Sequence, residues 1–288
     1  MKKLTLITSS ILTSALGTSV VLASDWFPDT PLQASYSALA EGNAMLAWQE
    51  LQLSLSQNTI QERYWRPVKQ AILTETQCGK QLTNSASIAA EISLSIIRKG
   101  NATNQGYQVK LSAEKVSQPI ELQLFDADNR LAITATIPTP AKKYHEFESN
   151  ELLIEPKAGL YQLSVNGVHY PLVISSFESK AWLQPSTDRA FESLIISPPS
   201  QTVSCSPATV SWQWLDKQYN LLDRPSLMSL TPITADSNKR YHAQLPESLP
   251  AKTELLSAVV SQYEYQGRIK VEYVQRLSLP VSGIETYR

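Results

Sequence analysis

Two antiparallel β-sandwich domains of immunoglobulin-like type, mainly β and preceded by an N-terminal α-helical module, are what this 288-residue sequence predicts. Three observations carry that expectation. Apolar residues recur at helical spacing only between about Pro31 and Thr76, and beyond Cys78 the pattern changes to period-two alternation broken by turn residues. A content of 42% hydrophobic and 18% charged residues describes a chain that buries cores rather than one that stays unfolded. The expected organisation is a signal peptide over 1–23, a helical hairpin module over 24–80, one sandwich over 81–179 and a second over 180–288.

The amino terminus sets the expected compartment. Lys2 and Lys3 precede an uncharged apolar run from Leu4 to Leu22 that Thr and Ser interrupt, and Val21 and Ala23 supply the modest side chains that signal peptidase reads. Cleavage is expected after Ala23, with Ser24 as the alternative, and the product is periplasmic. No later stretch approaches the roughly 20 apolar residues of a membrane span, so none is expected. Cleavage removes two lysines and lowers the net charge from −1 to −3, with both signs scattered, which gives no reason to expect nucleic acid as a partner.

In the helical region Ala34, Ala38 and Leu39 form one stripe, Gly42-Asn43 breaks it, and Met45, Leu46, Trp48, Leu51 and Leu53 resume it. Thr59 to Thr76 reads as a third helix interrupted near Pro67. The run from Ser37 to Leu51 is similar to one tetratricopeptide-type helix pair, although such arrays need about three repeats.

Seven strands are expected in the first sandwich: Ile88 to Ile97, Tyr107 to Leu111, Ile120 to Phe125, Leu131 to Ile137, Glu151 to Ile154, Leu160 to Val165 and Val168 to Ile174. Ala158 to Val165 resembles a tyrosine corner, in which the Tyr161 hydroxyl would bond nearby backbone, and Asn166-Gly167 marks a two-residue hairpin. The second sandwich is expected to use Phe191 to Ile196, Thr209 to Leu215, Arg240 to Leu245, Leu255 to Tyr265 and Arg268 to Leu279, the last pair turned by Gln266-Gly267.

Cys78 and Cys205 stand 127 residues apart in a chain expected to meet an oxidising compartment, so a disulfide between them is expected. Two separate buried thiols or an intermolecular bridge are the alternatives. The intramolecular bridge would contribute about 4 to 5 kcal/mol in the chain-entropy account, less any strain.

Candidate chemistry is sparse. His145, His169 and His242 lie far apart with no metal-ligand spacing, and Asp126-Ala127-Asp128-Asn129 departs from a calcium loop and reads as a hairpin turn. Glu146, Glu148 and Glu151 could be paired carboxylates only by three-dimensional convergence. No Gly-x-Ser-x-Gly elbow occurs, and no catalytic residue, cofactor or metal is expected. Tyr64, Trp65, Trp214, Tyr263 and Tyr265 are the aromatics that could face a partner rather than a core.

Trp26-Phe27-Pro28, the Ser37 to Leu51 stretch and the overall length together resemble an uncharacterised family of secreted proteins from vibrios, encoded beside an envelope-stress sensor kinase. The resemblance implies a periplasmic accessory role and supplies no catalytic residues. The expected function is a non-enzymatic periplasmic binding or accessory protein that contacts an envelope or periplasmic protein, with glycan also possible. The alternatives are an envelope glycan-directed hydrolase and an assembly chaperone that donates a strand.

Overall fold

The computed structural model describes residues 30–82, 88–101, 104–138, 144–177, 180–185, 193–200, 202–233, 240–246 and 248–281. The expected signal peptide, its cleavage point and Trp26-Phe27-Pro28 lie outside the described residues.

Three helices open the described chain: α1 (Gln33–Ala40), α2 (Ala44–Gln57) and α3 (Glu62–Glu75). The break at Gly42-Asn43 closes α1 and opens α2. Gly42 takes φ +74°, the Gly42 and Asn43 N–H groups return to the Leu39 and Ala38 carbonyls, and the Asn43 side chain then caps α2 by accepting the Leu46 N–H at 3.1 Å. One chain reversal thereby satisfies both helix ends. Ala38, Ala47, Trp48, Leu51, Trp65, Val68, Ile72 and Leu73 form a core that also takes in Leu82 and Val173. The expected interruption near Pro67 does not occur. Pro67 sits inside α3 on an exposed position, where its missing N–H costs one backbone bond while Trp65 and Val68 hold the helix on its buried side.

The rest is mainly β. The strands are β1 (Glu91–Gly100), β2 (Gln105–Glu114), β3 (Ile120–Phe125), β4 (Leu131–Ile137), β5 (His145–Glu148), β6 (Gly159–Val165), β7 (Val168–Ile174), β8 (Leu183–Pro185), β9 (Ser193–Ile196), β10 (Thr209–Leu215), β11 (Ser226–Leu227), β12 (Leu230–Pro232), β13 (Tyr241–Gln244), β14 (Leu255–Gln266) and β15 (Ile269–Pro280). They form one seven-stranded sheet, β11-β10-β14-β15-β1-β2-β5, and two four-stranded sheets, β12-β13-β9-β8 and β4-β3-β6-β7. Alternation explains the layers: Ile92, Leu94 and Ile96 point from β1 into a continuous core shared with Leu122, Leu124, Leu163, Leu256, Ala258 and Val260.

From Pro31 onward the chain is one compact unit. The boundary expected between 179 and 180 runs through the seven-stranded sheet, because β1 pairs in parallel with β15 from Ser93↔Lys270 to Gly100↔Leu277. Alternation reveals which segments are strands and which face they bury, but not which strand lies beside which. β15 is paired on both sides, with β14 and β1, so it is not available for donation to another chain. The segment Glu151 to Ile154 is not a strand. β5 takes its place beside β2, and Leu152 makes only an isolated bridge to Tyr107. The last hairpin turns one residue later than expected, on Gly267-Arg268, with φ +67° at the glycine.

Two polar side chains and one ring join the halves of the unit. Gln266 of β14 exchanges two hydrogen bonds of 2.8 Å with the Val173 backbone, and Gln275 of β15 accepts the Trp182 N–H at 2.7 Å. Phe177 packs its ring between those of Tyr107, Trp182 and Tyr273, at centroid distances of 6.4, 5.1 and 6.2 Å.

Candidate functional site

A cavity of about 80 Å³ opens between α3, the Ser175-Ser176 linker, β14, β15 and the Cys205 loop. Its floor is a buried charge pair. Lys69 points from the inner side of α3, and its Nζ lies 2.6 Å from Glu264 Oε1, donates to Ser175 Oγ at 3.0 Å and to the Tyr273 hydroxyl at 3.3 Å. Glu264 also accepts from Gln266 Nε2 at 2.9 Å, and the Tyr273 oxygen accepts the Ser175 N–H. Burial alone would pull the Lys69 ammonium down, but Glu264 and Tyr273 together outweigh it and hold the group above the ordinary lysine value. Burial pushes the Tyr273 hydroxyl up, and Glu264 pushes it further.

At the mouth, Arg66 is spent on Glu62 and Ser176, while Glu62 accepts the Ser176 N–H at 2.9 Å. A nucleophilic or basic lysine needs a lowered proton affinity, and Lys69 has the reverse. These groups neutralise one another and tie α3 to the sheets.

The two cysteines form a disulfide with a Cα–Cα distance of 4.8 Å. It anchors the turn after α3 to the loop before β10. Gly79 in that turn, at φ +80°, lets backbone lie against backbone: a Cβ there would stand 1.7 Å from the Tyr265 carbonyl oxygen. The Tyr265 N–H donates to the Cys78 carbonyl at 2.8 Å.

The five expected partner-facing aromatics divide. Trp65 and Trp214 are core residues, 1% and 8% exposed, and offer no ring to a partner. Trp214 shares a face with Trp212 because positions two apart in a strand point the same way, so both enter the main core. Tyr263 and Tyr265 share the opposite face of β14, half-buried, with ring centroids 5.8 Å apart. The Lys270 ammonium lies 4.7 Å from the Tyr263 ring centroid and the Lys80 ammonium 5.2 Å from that of Tyr265.

Tyr64 is exposed, and the structure brings it together with two residues that sequence reasoning did not single out. The Tyr36 hydroxyl of α1 donates to the Tyr64 carbonyl at 3.4 Å, and the Arg63 guanidinium lies 4.7 Å from the Tyr64 ring centroid. Helical spacing could have placed Tyr36 off the buried Ser35–Ala38 stripe, but the meeting of α1 with α3 is tertiary.

Glu146 and Glu148 stand two residues apart on β5 and share the half-buried Arg276 guanidinium as an electrostatic partner. Glu146 accepts from Tyr144 and Lys110, and Glu148 accepts from Gln108. Asp126 closes the β3–β4 hairpin by accepting the Asp128 and Arg130 N–H groups, as an Asx turn does.

Residues 26–282 match the family described as Protein of unknown function (DUF2861). The chain belongs to this family. No curated protein matches it. Among solved structures it is similar to alpha-2-macroglobulin from Escherichia coli, spanning domains NIE-MG1, with 12% identity, 60% of this chain and 94% of that chain covered and a TM-score of 0.16. A second structure of the same protein, spanning domains MG0-NIE-MG1, gives 12% identity, 69% and 66% coverage and a TM-score of 0.18. The BSP domain of a biofilm-associated protein gives 8% identity, 66% and 30% coverage and a TM-score of 0.19. These likenesses carry no argument about the fold or the function.

Proposed function

We propose that this DUF2861 chain is a secreted, non-enzymatic accessory protein of the bacterial periplasm that works through protein contacts at the cell envelope. The observation that carries the reading is the exposed Tyr36, Arg63 and Tyr64 group on α1 and α3, with the two tyrosines 49% and 52% exposed. Tyrosine and arginine are the side chains that supply most binding energy at protein interfaces, and here a hydrogen bond and a cation–π contact preset their geometry. On this reading the docking surface is the face of α1 and α3 that carries Tyr36, Arg63 and Tyr64.

Two further features support the reading. The Cys78–Cys205 bridge suits an oxidising compartment, and the Lys2-Lys3 start with its apolar run suits export. The sheets serve as the scaffold, and β4-β3-β6-β7 laid on the β1-β2-β5 edge is read as an immunoglobulin-like sandwich. Its support is the Tyr161 hydroxyl, which donates to the Lys157 carbonyl at 3.0 Å as a tyrosine corner does.

The test is cross-linking of the tagged mature protein in its native envelope, with a Tyr36→Ala/Arg63→Ala/Tyr64→Ala variant beside it. The expected result is one enriched envelope or periplasmic protein whose yield the variant lowers about tenfold or more, as loss of a hot spot would. Efficient cross-linking without an enriched protein would sink the proposal.

A further inference from the structure

The three sheets end in six edge strands, and an edge strand offers bare N–H and C=O groups to any other chain. Five of the six are blunted. β11, β12 and β8 are two or three residues long, and each adjoins or ends on a proline, at Pro225, Pro232 and Pro185. β5 has four residues and carries Glu146 and Glu148. β7 is longer, but the Gln266 amide meets both backbone groups of Val173, and Gln52 Nε2 donates to the Pro171 carbonyl at 2.9 Å. β4 has none of these devices. It runs seven residues without proline or charge, and the chain then passes to the seven-stranded sheet, where β5 pairs with β2. Among the described residues no hydrogen bond reaches the outer side of β4.

Which groups are bare follows from β3. Glu121 faces β6, because its carbonyl accepts the Asn166 N–H at 2.9 Å and its own N–H donates to Asn166 Oδ1 at 2.7 Å. Backbone groups alternate sides along a strand, so Ile120 and Leu122 face β4 and bond their partners Ile137 and Ala135. Thr134 and Thr136 therefore send both backbone groups outward, and their side chains are exposed as well. The register steps from Leu124↔Ile133 to Phe125↔Leu131, so Ala132 is an extra residue that bends the strand and ends the regular edge. What remains, Ile133-Thr134-Ala135-Thr136-Ile137, reads the same in both directions.

We propose that β4 pairs with β4 of a second copy of this chain, antiparallel, about a two-fold axis at Ala135. Any extended strand could use the bare groups, but a palindrome on a two-fold axis matches only itself. Thr134 lies opposite Thr136 of the second copy, Ile133 opposite Ile137, and Ala135 opposite its own equivalent. The two threonine pairs exchange two hydrogen bonds each, which uses every bare group of the regular edge. Threonines favour one another across strands, and the small Ala135 suits the closer approach of a pair that is not hydrogen-bonded. No charge meets a like charge, whereas the Glu146 and Glu148 edge of β5 would repel its own copy. The two four-stranded sheets become one of eight strands across an isologous interface. Interfaces built on one strand pair are small, so the expected dissociation constant lies between about 1 µM and about 1 mM.

The test follows the mass of the purified chain by sedimentation equilibrium, with Thr134→Lys/Thr136→Lys beside it. Both threonines are exposed, so unchanged circular dichroism and thermal midpoint are expected for the variant. The expected result is a reversible dimer whose dissociation constant the variant raises about 100-fold or more, since it sets lysine opposite lysine. Cysteines then check the register. Thr134→Cys mixed with Thr136→Cys is expected to form a disulfide between copies, because a hydrogen-bonded pair holds its Cα atoms about 5.5 Å apart. Neither variant alone should do so, because like positions then lie more than about 7 Å apart. A chain that stays monomeric up to about 1 mM, a dimer indifferent to the lysines, or single variants that cross-link as well as the mixture would each overturn the proposal. So would photoreactive benzoylphenylalanine at position 134 that captures a different protein in the native envelope and no second copy.

Discussion

A buried lysine keeps its proton only where neighbouring groups repay the lost hydration, and the surroundings of Lys69 do so through Glu264 and Tyr273. Removing one member leaves the other charge buried without its partner. Lys69→Met or Glu264→Gln alone is therefore expected to cost about 3 to 5 kcal/mol in urea unfolding, whereas Lys69→Met with Glu264→Leu should fall within about 2 kcal/mol of the native chain. The pH dependence has a definite sign. Lys69 and Tyr273 both hold their protons more tightly in the folded chain than ordinary groups do, so the stability they supply is complete below the ordinary tyrosine and lysine values of 10.0 and 10.5. It is lost as pH rises through the raised values. Unfolding midpoints should run parallel for the native chain and the double variant up to about pH 10, and fall more steeply for the native chain between about pH 10 and pH 12.

At the scale of elements, the turn that follows α3 depends on one missing side chain. Gln77, Cys78 and Gly79 take positive φ in succession, at 52°, 58° and 80°, and Gly79 adds a backbone approach to Tyr265 that no Cβ could share. Gly79→Ala is expected to cost about 3 kcal/mol or more, from left-handed strain together with overpacking against backbone that cannot move aside. Native-state hydrogen exchange at Tyr265, whose N–H bonds the Cys78 carbonyl, should report the local release.

The same scale shows what was legible in the sequence. The bounds of β3, β4, β7 and β10 follow alternation to the residue, and the break at Gly42-Asn43 and the Asn166-Gly167 hairpin follow local chemistry. Short elements such as β5, β8, β11 and β12 were not legible, because strands of two to four residues borrow their stability from neighbours rather than from a pattern of their own. The candidate sites were legible only in part. Tyr64 could be placed on a helix, but its meeting with Tyr36 is a contact between segments distant in sequence.

At the scale of the whole molecule the deciding contact is the parallel pairing of β1 with β15. It joins Ser93 to Lys270 and continues to Gly100 and Leu277, so strands near opposite ends of the described chain lie side by side in the middle of one sheet. Cutting the chain between 179 and 180 would leave β1 with a bare edge in one piece and β15 with a bare edge in the other. The inner faces of β1 and β15, with Ile92, Leu94, Ile96, Ile269 and Val271, contribute to one shared core. Exposed, long, apolar-faced edges are where strands aggregate. Residues 81–179 and 180–288 expressed separately are therefore expected to give aggregates or chains without a cooperative transition, whereas the intact chain is expected to unfold in one step. Calorimetry on the three proteins decides between one folding unit and two. Two independent transitions, with the fragments soluble and separately cooperative, would mean that the β1–β15 pairing contributes little. A single transition would mean that the two halves of the seven-stranded sheet fold and unfold together.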